Sequence, residues 1–106
     1  MASHDFSSPE AFTVMSKRIH EAALVMKAMA SDTRLMILCA LSEGELPVGQ
    51  LAEMTGQSSS AVSQHLAKLR AAGLVNSRRD AQTIYYSRTP GVGKVIVDTL
   101  CDFYDN

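Results

Sequence analysis

Residues 57–88 read QSSSAVSQHLAKLRAAGLVNSRRDAQTIYYSR, and the punctuation of that run decides the fold. Ser58 carries the hydroxyl of an N-cap, and Gly73 is the residue type that ends a helix in the left-handed conformation. Between them Val62, Leu66 and Leu69 recur at four- and three-residue spacing, the stripe of a helix with one buried face. At 100° per residue the opposite face carries Ser60, Gln64, Ala67, Lys68 and Ala71. That face is polar near its start, small further along and free of acids. Two β-type runs follow, Leu74 to Arg79 and Thr83 to Arg88, joined by Asp80-Ala81-Gln82. Helix, short turn, helix and then a ribbon predicts a winged helix-turn-helix.

Such a helix suits duplex DNA. Short hydroxyl and amide side chains near its N-terminus reach base edges, small residues admit the backbone to the groove, and the positive dipole end faces phosphates. The candidate contacts are Ser58, Ser59, Ser60, Ser63, Gln64 and Lys68 on the helix, with Arg78, Arg79 and Gln82 at the end of the ribbon. A basic wing there would lie along the sugar-phosphate backbone. His65 flanks the buried stripe, so packing or a backbone bond competes with a phosphate contact. Tyr85 and Tyr86 alternate across the strand, placing one in the core and one outside.

The 106 residues make one domain by length, and 46% hydrophobic content supplies a core that dimerisation would help to complete. The net charge of −1 argues against nucleic acid until its distribution is read. Across residues 55–94, Lys68, Arg70, Arg78, Arg79, Arg88 and Lys94 face a single acid, Asp80, while acids outnumber bases on either side. Local balance governs binding more than the total does. A solvated helix face beside an arginine-rich turn is the plainer reading of the same charges. The longest apolar run, Leu35 to Leu41, is far short of the ~20 residues that span a bilayer, and the first residues lack the pattern of a signal peptide. The expected location is the cytoplasm, without a membrane partner. Two cysteines there make a structural disulfide framework a poor expectation.

Elsewhere, residues 1–8 read as a disordered tail ahead of a domain over 9–106. Ser8-Pro9-Glu10 reads as a helix start. Phe12, Met15, Ile19, Ala22, Met26 and Met29 then make a narrow heptad-like seam, suited either to another subunit or to the domain's own body. Ser31-Asp32 caps a second helix with Leu35, Leu38 and Leu41 inward, and Pro47 begins a short third helix that stops at Gly56. Thr89-Pro90 starts a last helix with the stripe Val92, Ile96, Thr99, Leu100 and Phe103. A terminal helix with an apolar stripe needs cover, so the first and last helices are expected to pair across a two-fold axis. Phe12, Met15, Ile19, Met26, Ile96, Leu100 and Phe103 are the interface candidates. The expected fold is mainly α with a small β-hairpin, in the order α-α-α-α-β-β-α, and dimeric.

Three segments together resemble the ArsR/SmtB family of bacterial winged-helix repressors: AMASDTRLMIL (28–38), SSAVSQHLAKLRAAGLV (59–75) and RRDAQTIYYS (78–87). The last two are similar to its NolR-like and HlyU/BigR-like branch, whose members do not sense metals. The resemblance implies a non-catalytic homodimer on a dyad-symmetric operator, with reading helices in successive major grooves about 34 Å apart. It also directs attention to metal ligands. The family's thiolate pair would fall within residues 45–49, where there is no cysteine, and its last-helix site needs a histidine after Pro90, where there is none. Asp98 and Asp102 alone are weak hard-cation ligands. No metal and no cofactor are expected. Ser59 departs from the glutamine often found in that branch, so operator sequence does not transfer.

Cys39 occupies the position of that branch's redox-active cysteine, whose partner would fall at Asp105. This chain has Cys101 instead, one helical turn earlier on the same face. A thiol switch joining Cys39 to Cys101 therefore stands against two buried cysteines acting as small hydrophobes. A displacement of one turn threatens the Cα separation, within about 7 Å, that a disulfide requires. Beside the leading expectation of a repressor stand a constitutive repressor without thiol control, a winged-helix protein-interaction module, and a small cysteine enzyme that lacks any nearby base.

Overall fold

The computed structural model describes residues 7–105. The expected tail falls mostly outside them, and Ser8 at its end is the N-cap of the first helix. That helix, α1 (Pro9–Met29), begins where the Ser8 hydroxyl accepts the Ala11 N–H at 3.1 Å, with Pro9 at its first position and Glu10 in its first turn. Only its end enters the core, through Val25, Ala28 and Met29. Phe12, Ile19 and Met26 are 56%, 51% and 61% exposed, so most of the seam is uncovered. The projecting helix gives the chain a radius of gyration of 16.1 Å. A compact chain of this length would have about 13 Å.

Ser31 caps α2 (Asp32–Ala40) by accepting the Arg34 N–H at 3.2 Å, and a 3₁₀ turn over Leu41–Glu43 follows. A short strand not expected from the sequence comes next, β1 (Leu46–Pro47). Pro47 does not start the third helix. It is instead the extended residue before α3 (Val48–Thr55), with φ −80° and ψ 160°. Proline drives the preceding residue toward extended backbone, which suits Leu46 to pairing. Gly56 ends α3 at φ 70°.

The reading helix, α4 (Ser59–Ala71), is capped as the sequence indicated: Ser58 Oγ accepts the Ala61 N–H at 3.1 Å. Gly73 takes φ 75°, while its own N–H bonds to Arg70 O and that of Leu74 to Leu69 O, both at 2.9 Å. Those two bonds are the Schellman ending of a helix. They also commit Leu74 to the cap, so the ribbon starts one residue later than expected. Its strands are β2 (Val75–Asp80) and β3 (Thr83–Arg88), with Asp80 opposite Thr83 and only Ala81-Gln82 between them. The expected hairpin is thus part of a three-stranded antiparallel sheet in the order β1-β3-β2.

The last helix, α5 (Val92–Tyr104), starts two residues after Pro90, because Gly91 stands outside it at φ 142°. One core unites the elements: Ile37, Leu51, Val62, Leu66, Leu69, Val75 and Val97 are fully buried. Gly93 lets α5 approach that core, since a Cβ there would overlap the buried Leu74 side chain. Overpacking of this kind costs about 1–3 kcal/mol, of which better helix propensity returns up to about 1. Gly93→Ala should therefore lose up to about 2 kcal/mol in a denaturant melt. An unchanged midpoint would show that Leu74 moves aside freely.

Candidate nucleic-acid interface

The helix-turn-helix is α3, the turn at Gly56–Ser58, and α4. With Val62, Leu66 and Leu69 sealed against the core, helical geometry turns Ser59, Ser60, Ser63, Gln64, Ala67, Lys68 and Ala71 outward, and all of them are exposed. The Ser58 hydroxyl is used by its own helix as the cap. The outward face presents hydroxyls and an amide near its start, one cation further along, and no acid.

The cations divide into two groups. Arg88 is almost buried, at 7% side-chain exposure, and pairs with Asp98 of α5 at 2.7 Å, while Lys94 reaches the other oxygen of the same carboxylate at 3.2 Å. The Arg88 hydrogen bond, then that of Lys94, holds the Asp98 carboxyl below its usual range. Its stabilising effect is complete above the ordinary carboxylate pKa and disappears as pH falls through the lowered one. Arg78 does not stand at the ribbon's tip as expected. It lies opposite Tyr85, forks onto Glu45 and stacks 4.7 Å over the Tyr85 ring. The two-residue turn moves the tip to Ala81-Gln82, beyond both arginines. Lys68, Arg70 and Arg79 make no ion pair among the described residues. All three are exposed.

His65 is held by a residue that nothing local in the sequence marked. Arg34 on α2 donates through Nε to the Ala28 carbonyl at the end of α1, and its Nη1 lies 3.2 Å from His65 Nδ1. A guanidinium has no acceptor, so Nδ1 accepts and the imidazole proton sits on Nε2. Burial first, then the Arg34 and Lys68 charges, keeps the His65 pKa below its usual range. At neutral pH the ring brings a donor N–H rather than a charge. Of the two tyrosines, Tyr86 packs on the core and Tyr85 lies under Arg78 on the outer face.

The two cysteines meet. Cys39 on α2 and Cys101 on α5 place their sulfurs 2.7 Å apart as free thiols, so the one-turn displacement does not separate them. Burial, followed by the Cys101 hydrogen bond, pushes the Cys39 thiol up to about 11. They border a mainly apolar cavity of about 580 Å³ with Leu35, Val97, Leu100 and Tyr104.

A capped reading helix with an outward polar face, followed by a ribbon on the same sheet, defines a winged helix-turn-helix of the DNA-binding class. The model of the bacterial regulatory protein arsR family matches residues 31–77, from the start of α2 into the wing. The transcriptional activator HlyU of Vibrio cholerae serotype O1 is 44% identical over 90 residues, covering 85% of this chain and 83% of HlyU. The structure of reduced HlyU from Vibrio cholerae N16961 has a TM-score of 0.83 at 43% identity, covering 87% of this chain and 97% of that one. The nodulation protein NolR of Rhizobium meliloti is 52% identical over 83 residues, 78% of this chain and 68% of NolR. A homodimeric winged helix-turn-helix DNA-binding domain from Mycobacterium bovis has a TM-score of 0.76 at 28% identity, covering 99% of this chain and 91% of that one. The chain belongs to the ArsR family of bacterial regulatory proteins and is a transcriptional regulator with a DNA-binding winged helix, not an enzyme.

Proposed function

We propose that the protein is a homodimeric repressor of a dyad-symmetric operator, with α4 in the major groove and the wing on the backbone. The outward, acid-free face of α4 beside three uncommitted cations carries this reading. Ser59, Ser60, Ser63 and Gln64 take the base edges, Lys68, Arg79 and Gln82 the phosphates, and the His65 Nε2–H a phosphate oxygen. Exposed apolar side chains at the far side support the dimer. On α1 these are Phe12, Ile19 and Met26, and on α5 Leu100 and Phe103, which are 39% and 74% exposed. Met15 and Ile96 are partly covered along the same faces. The site of action is the cytoplasm, where the operator lies. Sedimentation equilibrium tests the assembly: twice the chain mass at micromolar concentration is expected, and a monomer bound to one half-site contradicts it.

Thiol control belongs to the same proposal. A sulfane-sulfur donor RSSH persulfidates Cys101 and leaves as RSH. The Cys39 thiol then attacks the Cys101 sulfur, a disulfide forms between α2 and α5, and hydrogen sulfide departs with the proton. The outcome expected in intact-mass analysis without reductant is a loss of two hydrogens together with weaker DNA binding. Two free thiols with unchanged binding would instead support a constitutive repressor. The raised pKa of Cys39 favours that second reading, because a protonated thiol attacks slowly.

A further inference from the structure

Arg78, Tyr85 and Glu45 occupy the outer face of the sheet, one beside each of its three strands. Arg78 on β2 lies opposite Tyr85 on β3, and Tyr85 lies opposite Pro47 on β1. Glu45 precedes Pro47 by two residues, so strand alternation sets it on the same face. Arg78 crosses the whole sheet to reach it. Its Nε donates to both carboxylate oxygens, at 2.9 and 2.8 Å, its Nη2 donates to Oε1, and its guanidinium carbon rests 4.7 Å over the Tyr85 ring. Both charged groups keep solvent contact, with side-chain exposures of 53% and 36%, so the pair contributes little to overall stability.

Its place in the chain gives it another role. β1 is only two residues long, and one of them, Pro47, has no N–H to pair. The next residue, Val48, begins α3, the first helix of the helix-turn-helix. Whatever fastens β1 to the ribbon therefore sets the angle between wing and helix-turn-helix. Arg79, the neighbour of Arg78 on β2, faces the opposite side of the sheet and pairs across to Ile84. We infer that Glu45, Tyr85 and Arg78 form a strap that fixes the wing against α3, making Arg78 a positioning residue while Arg79 meets the phosphate. This rests on the DNA-binding reading above and narrows it to one arginine of the pair.

The test uses the full chain, reduced, and a fluorescein-labelled mixed-sequence duplex titrated at several salt concentrations. Glu45→Gln and Arg78→Gln should each weaken binding by about 2- to 5-fold, the range of an exposed ion pair. Neither should change the slope of log affinity against log salt, whereas Arg79→Ala should flatten it by about 1. The charge-exchanged double variant, Glu45→Arg with Arg78→Glu, should recover most of the affinity, because it restores the pair in reverse. A slope reduced by about 0.9 in Arg78→Gln would place that guanidinium on a phosphate and overturn the strap. Tighter binding by Glu45→Gln would also overturn it, showing that the carboxylate holds Arg78 away from DNA. So would a double variant no better than the singles. Hydrogen exchange at the Leu46 and Val48 amides keeps the two readings separate: it should accelerate in Glu45→Gln and return in the exchanged pair without DNA. A wild-type chain that ignores the duplex would sink the DNA-binding reading, while this exchange pattern would still decide the strap.

Discussion

Leu66→Ala is expected to cost about 2–5 kcal/mol of folding stability, the range for truncating a buried leucine. Leu66 has no exposed surface and lies in the single core that joins α4 to α2, α3, β2 and α5. Its removal forfeits the transfer free energy of the side chain and leaves a cavity that helices held from several directions close poorly. Domains of this size have about 5–15 kcal/mol in total, so the variant approaches the threshold of unfolding. A chemical melt at fixed protein concentration is the measurement, since a dimer's apparent stability varies with concentration. A loss below about 1 kcal/mol would contradict the assignment of Leu66 to the inner side of the reading helix.

The second large effect falls on recognition. Gln64 is exposed on the side of α4 opposite Leu66, and a glutamine amide can take adenine through two hydrogen bonds. Gln64→Ala should lower the preference for operator over random duplex by about 1–3 kcal/mol, or about 5- to 150-fold, at each half-site. Stability should be almost unchanged, because the side chain touches solvent. Arg79→Ala should act differently, weakening every sequence alike and flattening the salt dependence by about 1. Competition titrations against both duplexes separate the two signatures. Equal losses on operator and random DNA for Gln64→Ala would remove it from base recognition.

What the sequence made legible was local. Ser58, the Val62-Leu66-Leu69 stripe and Gly73 sit within one helix length of each other, and each constrains backbone or face by itself. The structure follows them closely, down to the Ser58 cap and the Schellman bonds beyond α4. The departures come from pairings between distant residues. β1 has only two residues, too few for any periodic signal, and exists because Leu46 and Pro47 find Tyr86 and Tyr85. Proline at position 47 therefore resembled a helix start when it was a strand residue one step before one.

The same distance effect explains the arginines. A run of cations between residues 68 and 94 shows where charge lies along the chain, but not that Glu45 and Asp98 would take three of them. Arg34 carried no local mark either, because its partner His65 belongs to another helix. The cysteines show the converse. Residue spacing along α5 alone would let Cys101 miss Cys39, yet the packing of α5 on α2 brings the sulfurs together. Position along a helix specifies which face a side chain occupies, whereas the crossing of two helices determines what it meets.

The most direct measurement is selection of bound duplexes from a random pool by the reduced protein. Enrichment of a palindromic site, its half-sites one helical turn apart at about 10–10.5 base pairs, is the expected result. Recovery of duplexes with no common sequence, or of a lone half-site without a symmetric mate, would contradict it.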